Sequence, residues 1–129
     1  MRIHHIGYLV KKIARAEQAF CALGYSREGE VMRDETRGID ILFMKNGETR
    51  VELVCPYCEN SQVEGIRKRV GNAPYHICYL SEDIHKDAEE MQNQGYVLTS
   101  APQPAPAIGG RSVAFLFSPA VGIVELVEA

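Results

Sequence analysis

From Ile3 to Val10 the chain alternates in character, which predicts a strand with His5, Gly7 and Leu9 on one face and Ile6, Tyr8 and Val10 on the other. The period then lengthens. Ile13, Ala16, Phe20 and Leu23 recur every three or four residues as the stripe of a helix, and Gly24 follows as its C-terminal cap. A short strand is predicted over Tyr25–Glu30 and a polar turn over Asp34–Gly38. Ile39, Ile41 and Phe43 alternate again, Asn46-Gly47 is a hairpin signal, and Arg50–Val54 is the partner strand. Residues 56–73 read as a linker holding a short helix that ends near Gly71. Ser61 and Glu64 have the spacing of a capping box at its start, and Arg67, Lys68 and Arg69 fall where the dipole favours positive charge. Tyr75–Leu80 predicts a second opening strand, and Ile84, Ala88 and Met91 a second helix, capped by Asp83 or Ser81 and ended by Gly95. Tyr96–Thr99 reads as a strand and Ala101–Gly110, with its prolines and glycines, as a loop. Val113, Phe115 and Phe117 alternate in a further strand, and Ile123–Val127 closes the series after Gly122.

The second half repeats the first. With His76 placed on His5 (76 − 5 = 71), Ile77 falls on Ile6, Tyr79 on Tyr8, Leu80 on Leu9, Ile84 on Ile13, Gly95 on Gly24 and Tyr96 on Tyr25. Val124-Glu125-Leu126-Val127 repeats Val51-Glu52-Leu53-Val54 at nearly the same shift (125 − 52 = 73). The predicted architecture is therefore α+β: two tandem modules, 1–55 and 74–129, each strand, helix and three strands, joined by the 56–73 linker into one domain.

Composition narrows the class. A chain of 129 residues that is 46% apolar and 24% charged is globular in character and can bury a core. A net charge of −3 and a pI of 5.8 give no basic footprint for nucleic acid. No apolar run reaches the length of a membrane span, and the first residues carry no signal-peptide stretch, so a cytoplasmic protein is expected. Cys21, Cys55, Cys58 and Cys78 are then expected as thiols. Cys55-Pro56-Tyr57-Cys58 matches the active-site turn of glutaredoxins, but it follows the last strand of a module instead of preceding a helix. A thiol pair without a catalytic role is expected.

The candidate chemistry lies at the repeated positions. A carboxylate inside an apolar strand costs several kcal/mol unless it is paired or binds a metal. Glu52 and Glu125 sit in that setting, and the polar residues repeated with them are His5 and His76. A lone histidine or glutamate on a strand is more often structural, but two of each in register change the balance. If the modules relate by pseudo-twofold symmetry, His5, Glu52, His76 and Glu125 converge. Two neutral imidazoles and two carboxylates neutralise a divalent cation, and nitrogen and oxygen donors without thiolate suit Ni²⁺, Co²⁺, Zn²⁺, Fe²⁺ or Mn²⁺. Of these Ni²⁺ or Co²⁺ is the first expectation, with Zn²⁺ or Mn²⁺ after them. His4 faces away from His5, His85 lies on the wet side of its helix, and neither is given a role.

On His5-Ile6-Gly7, Glu52-Leu53-Val54, Tyr75-His76-Ile77-Cys78, Gly110–Leu116 and Val124-Glu125-Leu126-Val127, nearly the whole chain resembles the vicinal oxygen chelate superfamily. Within it the chain is similar to short glyoxalase I enzymes (lactoylglutathione lyases) and to methylmalonyl-CoA epimerases. The resemblance implies paired βαβββ modules forming one curved, mostly antiparallel sheet cleft. It also implies His5, Glu52, His76 and Glu125 as metal ligands, with Glu125 as catalytic base and Glu52 as its opposite partner. Arg111 is a candidate for binding an anionic thiol cofactor, as are Arg67, Lys68 and Arg69. Methylmalonyl-CoA epimerases carry a His-Pro-Lys element and a glycine-rich insertion before the last strand. This chain has only Ser118-Pro119-Ala120-Val121-Gly122 there, which counts against acyl-CoA. Glutathione-dependent enzymes carry a longer signature near the second histidine, also missing here. The first expectation is a glyoxalase I-like enzyme turning a 2-oxoaldehyde–thiol hemithioacetal into a 2-hydroxyacyl thioester by metal-stabilised proton transfer. The alternative is a methylmalonyl-CoA epimerase acting on an acyl-CoA substrate. A non-catalytic binder of the bleomycin-resistance kind and an extradiol dioxygenase are disfavoured by the presence of all four ligands. A homodimer is expected.

Overall fold

The alternation at the start of the chain forms strand β1 (Ile3–Leu9), with His5, Gly7 and Leu9 buried and Ile3 exposed. A computed structural model describes residues 1–129, and the chain divides into two compact units, Ile6–Pro74 and Met1–His5 with Tyr75–Ala129.

The unit Ile6–Pro74 continues with helix α1 (Ile13–Ala22), strands β2 (Ser26–Arg27), β3 (Met32–Asp34), β4 (Ile39–Asn46) and β5 (Thr49–Pro56), and helix α2 (Glu64–Val70). β1 runs parallel to β5, with Gly7 opposite Glu52, and β5 is antiparallel to β4. β4 also pairs with β2 and, further along, with β3. One face packs Val10, Leu42, Met44, Val51 and Leu53 against Ile13, Ala16 and Phe20 of α1. Burying each such side chain stabilises the unit by about 1.5–3 kcal/mol. Phe20 meets Tyr8 and Tyr25 edge-on at 5.1 Å, which fixes the helix on the sheet. The hairpin at Asn46-Gly47 forms as predicted, with Gly47 at φ 59°.

Three local predictions need correction. Leu23 lies outside α1 and is exposed, because the helix ends one residue earlier and turns through Gly24. The strand expected over Tyr25–Glu30 is short, and a second piece, β3, occupies Met32–Asp34, where the sequence shows no apolar alternation. The capping box is absent: α2 starts after Val63, and Glu64 pairs with Arg67 at 2.8 Å. Ser61 instead accepts from the Val63 amide and donates to the Arg37 carbonyl, which ties the linker to the turn after β3.

The other unit holds β6 (Ala73–Ser81), α3 (Ile84–Asn93), β7 (Val97–Pro104), a 3₁₀ turn (Pro106–Ile108), β8 (Ser112–Ser118) and β9 (Gly122–Glu128). β6 runs parallel to β9, β9 antiparallel to β8, and β8 antiparallel to β7. The chain start joins this unit, the Leu80 amide donating to the Arg2 carbonyl. Asp83, not Ser81, caps α3 by accepting from the Lys86 amide. Ile84 and Ala88 of α3 pack on Ala114, Leu116, Val124 and Leu126. Alternate residues of the same strands face the other way, among them His76, Cys78, Val113, Glu125 and Val127, all buried. Residues 101–104 belong to β7 and not to the expected loop. Pro102 and Pro104 are tolerated there because β7 is an edge strand with two register shifts against β8. The two modules thus repeat one α+β plan, as the sequence repeat predicts. No helix is long and apolar enough to cross a membrane.

Candidate metal centre

The Val-Glu-Leu-Val pattern of β9 puts Val124 and Leu126 under α3, and alternation sends Glu125 to the opposite face. β6 does the same for His76, two residues before fully buried Cys78, which lies opposite Glu125 in the parallel register. His5 belongs to the same unit.

These three side chains meet. His5 Nε2 lies 3.0 Å from Glu125 Oε1 and 3.0 Å from His76 Nε2, and His76 Nε2 is 3.3 Å from the same Oε1. All three residues are buried. Phe115 packs edge-on to the His76 ring at 5.6 Å, and Tyr75 at 4.5 Å. Burial alone would raise the Glu125 pKa, but the contacts with His5 and then His76 outweigh it and hold the carboxyl well below the usual carboxylate range. Glu125 is therefore an anion in an apolar wall. Its Oε1 nevertheless accepts no well-directed hydrogen bond despite the two close ring nitrogens.

A divalent cation fits that arrangement. Two imidazole nitrogens and one carboxylate oxygen with mutual spacings of 3.0, 3.0 and 3.3 Å match one face of an octahedron, whose edges are about 3.0 Å for metal–donor bonds of about 2.1 Å. A hard–borderline N/O set suits a divalent first-row cation as a class. Glu52, the fourth expected ligand, lies in the other unit, buried at the middle of β5 on the face away from α1. Its register partner Gly7 lies two residues along β1 from His5, on the same strand face.

His4 was given no role from sequence, yet its Nδ1 lies 2.8 Å from His5 Nδ1. Its Nε2 lies 3.4 Å from Arg111 Nη2. The signal was the His4-His5 dipeptide itself, since neighbouring rings on a strand can still meet edge-on, here with centroids 5.1 Å apart. Arg111, expected at a cofactor, donates from Nη1 to the Glu128 carbonyl at 3.2 Å and from Nε to the Ile108 carbonyl at 3.4 Å. Cys78 offers a sulfur within 4.8 Å of ring nitrogens of His4 and His5. Cys55 and Cys58 are free thiols.

The duplicated α+β fold and a buried pair of histidines with a glutamate define a class of metal-competent enzyme. The chain belongs to the Glyoxalase/Bleomycin resistance protein/Dioxygenase superfamily, whose family model matches residues 4–115. It is similar to an ethylmalonyl-CoA/methylmalonyl-CoA epimerase of Cereibacter sphaeroides, with 27% identity covering 89% of this chain and 87% of the relative. Among solved structures, a hypothetical protein of Bacillus halodurans C-125 superposes with a TM-score of 0.87 at 25% identity, covering 99% of this chain and 94% of that one. A Streptomyces coelicolor methylmalonyl-CoA epimerase variant in complex with 2-nitronate-propionyl-CoA superposes with a TM-score of 0.85 at 22% identity, covering 100% and 94%. These likenesses confirm the vicinal oxygen chelate fold, and the two relatives with a stated activity are epimerases, which favours the alternative enzyme reading over the first.

Proposed function

We propose that this enzyme is an acyl-CoA epimerase that inverts C2 of a 2-carboxyacyl thioester of the methylmalonyl-CoA type. The observation that carries this reading over the glyoxalase one is the Cereibacter sphaeroides relative, which aligns along 89% of the chain. The buried convergence of His5, His76 and Glu125 supports it from the side of chemistry. Their function is to hold a divalent ion, with Glu52 as the fourth ligand. Bound there, such an ion supplies positive charge for the oxygen that becomes negative when the carbon beside a thioester carbonyl loses its proton.

The chain's own residues do the rest. The Glu125 carboxylate takes the C2 proton from one face, and Glu52, its opposite partner, relays a solvent proton to the other face of the same carbon. One C–H bond breaks and one forms, the thioester stays intact, and nothing is oxidised. The reverse reaction exchanges the two roles. While His5 and His76 hold Glu125 ionised it is a weak base. Turning its carboxylate away from them removes what depresses its pKa, and its basicity rises at the moment of proton transfer.

The test follows deuterium. Protein reconstituted with Co²⁺ is given one epimer of methylmalonyl-CoA in D₂O, beside the methylglyoxal–glutathione hemithioacetal. Deuterium is expected at C2 together with the second epimer. Glu125→Gln and Glu52→Gln should each slow inversion by about 100-fold or more. Metal-loaded protein that exchanges no proton at C2 rejects the epimerase, and turnover of the hemithioacetal in that case restores the glyoxalase reading.

A further inference from the structure

A ring nitrogen that ligates a metal must present a lone pair, so a neutral histidine bound through Nε2 carries its proton on Nδ1, and that N–H needs an acceptor. For His5, whose Nε2 faces His76 and Glu125, Nδ1 lies 2.8 Å from the Nδ1 of His4. His4 can accept only as the neutral Nε2–H tautomer. Beyond it stands Arg111, whose Nη2 lies 3.4 Å from His4 Nε2. A guanidinium is always a donor. It is also anchored, through the carbonyls of Ile108 and Glu128.

The network therefore has two proton patterns. In one, Arg111 donates to His4 Nε2, the Nδ1–H of His4 donates to His5 Nδ1, and the Nε2–H of His5 faces His76 Nε2, 3.0 Å away. No lone pair of His5 then faces the centre. In the other, His5 donates from Nδ1 to His4, its Nε2 lone pair is open, and the Nε2–H of His4 meets a donor of Arg111. Both patterns hold the same number of protons, with both imidazoles neutral; they differ only in tautomer.

We propose that His4 is a positioning residue that commits His5 to its metal-binding tautomer, and that Arg111 opposes that commitment, so that the pair sets how tightly the centre holds its ion. This rests on the reading of His5 as a metal ligand. It gives Arg111 work inside the fold, and it gives a strand-surface histidine a function.

The experiment reads metal affinity and tautomer, not turnover. Metal-free protein is titrated with Co²⁺ by calorimetry, with circular dichroism to verify each fold. His4→Phe, which keeps a ring but no acceptor, should weaken Co²⁺ binding about 10–100-fold. His4→Asn, whose Oδ1 can accept from His5, should recover most of that loss. Arg111→Met should bind Co²⁺ more tightly than wild type. Long-range ¹H–¹⁵N spectra should show His5 changing from Nε2–H to Nδ1–H when Zn²⁺ is added. Should His76→Ala lose Co²⁺ while His4→Phe binds it as wild type does, the centre stands and the positioning role falls. Should His76→Ala bind like wild type, the centre itself is wrong and the proposal goes with it. Weaker binding by Arg111→Met, or an Nδ1–H His5 in the metal-free protein, overturns the opposing role of Arg111; if His4→Phe does not fold, the Asn and Met variants decide.

Discussion

A buried ion pair and a half-buried thiol test the local electrostatics. Asp34 and Arg37 form an ion pair at 2.7 Å, with both side chains almost wholly out of water. Removing one partner of such a pair leaves a charge in an apolar setting, which costs about 3–5 kcal/mol. Arg37→Ala should therefore lower the urea midpoint markedly, and adding Asp34→Asn should restore part of it; a single variant as stable as wild type would refute the pairing. Cys55 is the other case. Its thiol is pushed up, first by burial and then by the nearby Asp40 carboxylate. A raised thiol pKa means the reactive thiolate appears only as pH rises through that higher value. At pH 8 iodoacetamide should modify Cys55 severalfold more slowly than a free cysteine peptide, while the exposed Cys58 is modified first. Rapid modification of Cys55, read by mass spectrometry, would contradict the shift. The Cys55→Ser, Cys58→Ser double variant is expected to keep its activity.

At the level of elements, most strands and helices were legible because each buries one face and so repeats at 2 or 3.6 residues. What escaped follows from groups that bond out of register. β3 carries Met32, Arg33 and Asp34, with two of the three exposed, so no apolar alternation announces it; its pairing with β4 makes the strand. The Ser61 hydroxyl is diverted to the Arg37 carbonyl, which no spacing rule foresees. That diversion presses the linker onto the turn between β3 and β4. A Cβ on Gly38 would lie 2.8 Å from Cys58 Sγ and 3.1 Å from Ser61 Cα, at a φ of 68°. At Gly47, φ is 59° but nothing lies within 4 Å. Left-handed backbone alone costs about 1–2 kcal/mol in a residue with a side chain. Gly47→Ala should lose that much, and Gly38→Ala clearly more. Equal losses by urea denaturation would mean the linker is not seated on this turn.

Across the whole molecule, the repeat exposed the duplicated fold and singled out two histidines and two glutamates as candidates, because a charged group in an apolar strand is tolerated only with a partner and the repeat supplied two of each kind. Substrate choice was not legible for a related reason: the same four side chains serve proton transfer beside a carbonyl in either enzyme reading, so they cannot rank glyoxalase against epimerase. His4 was given no role because alternation puts its neighbour His5 on the other face of β1, although the two rings meet at 2.8 Å. If the centre holds an ion only in the folded chain, that ion also stabilises the fold by mass action. At a free metal concentration 100 times Kd the gain is about 2.7 kcal/mol. With an unfolding entropy of about 2.1 cal/mol/K per residue over 129 residues, this corresponds to a rise in Tm of about 10 °C. Chelation should lower Tm by that order in wild type and have almost no effect in His76→Ala, whose own Tm should sit near that of the chelated protein. The comparison separates a metal that binds the His5–His76–Glu125 cluster from one that binds elsewhere, because a distant site would leave the chelation shift intact when His76 is removed. A His76→Ala variant that keeps the full shift would dismiss the cluster as the centre, whatever the activity of the enzyme.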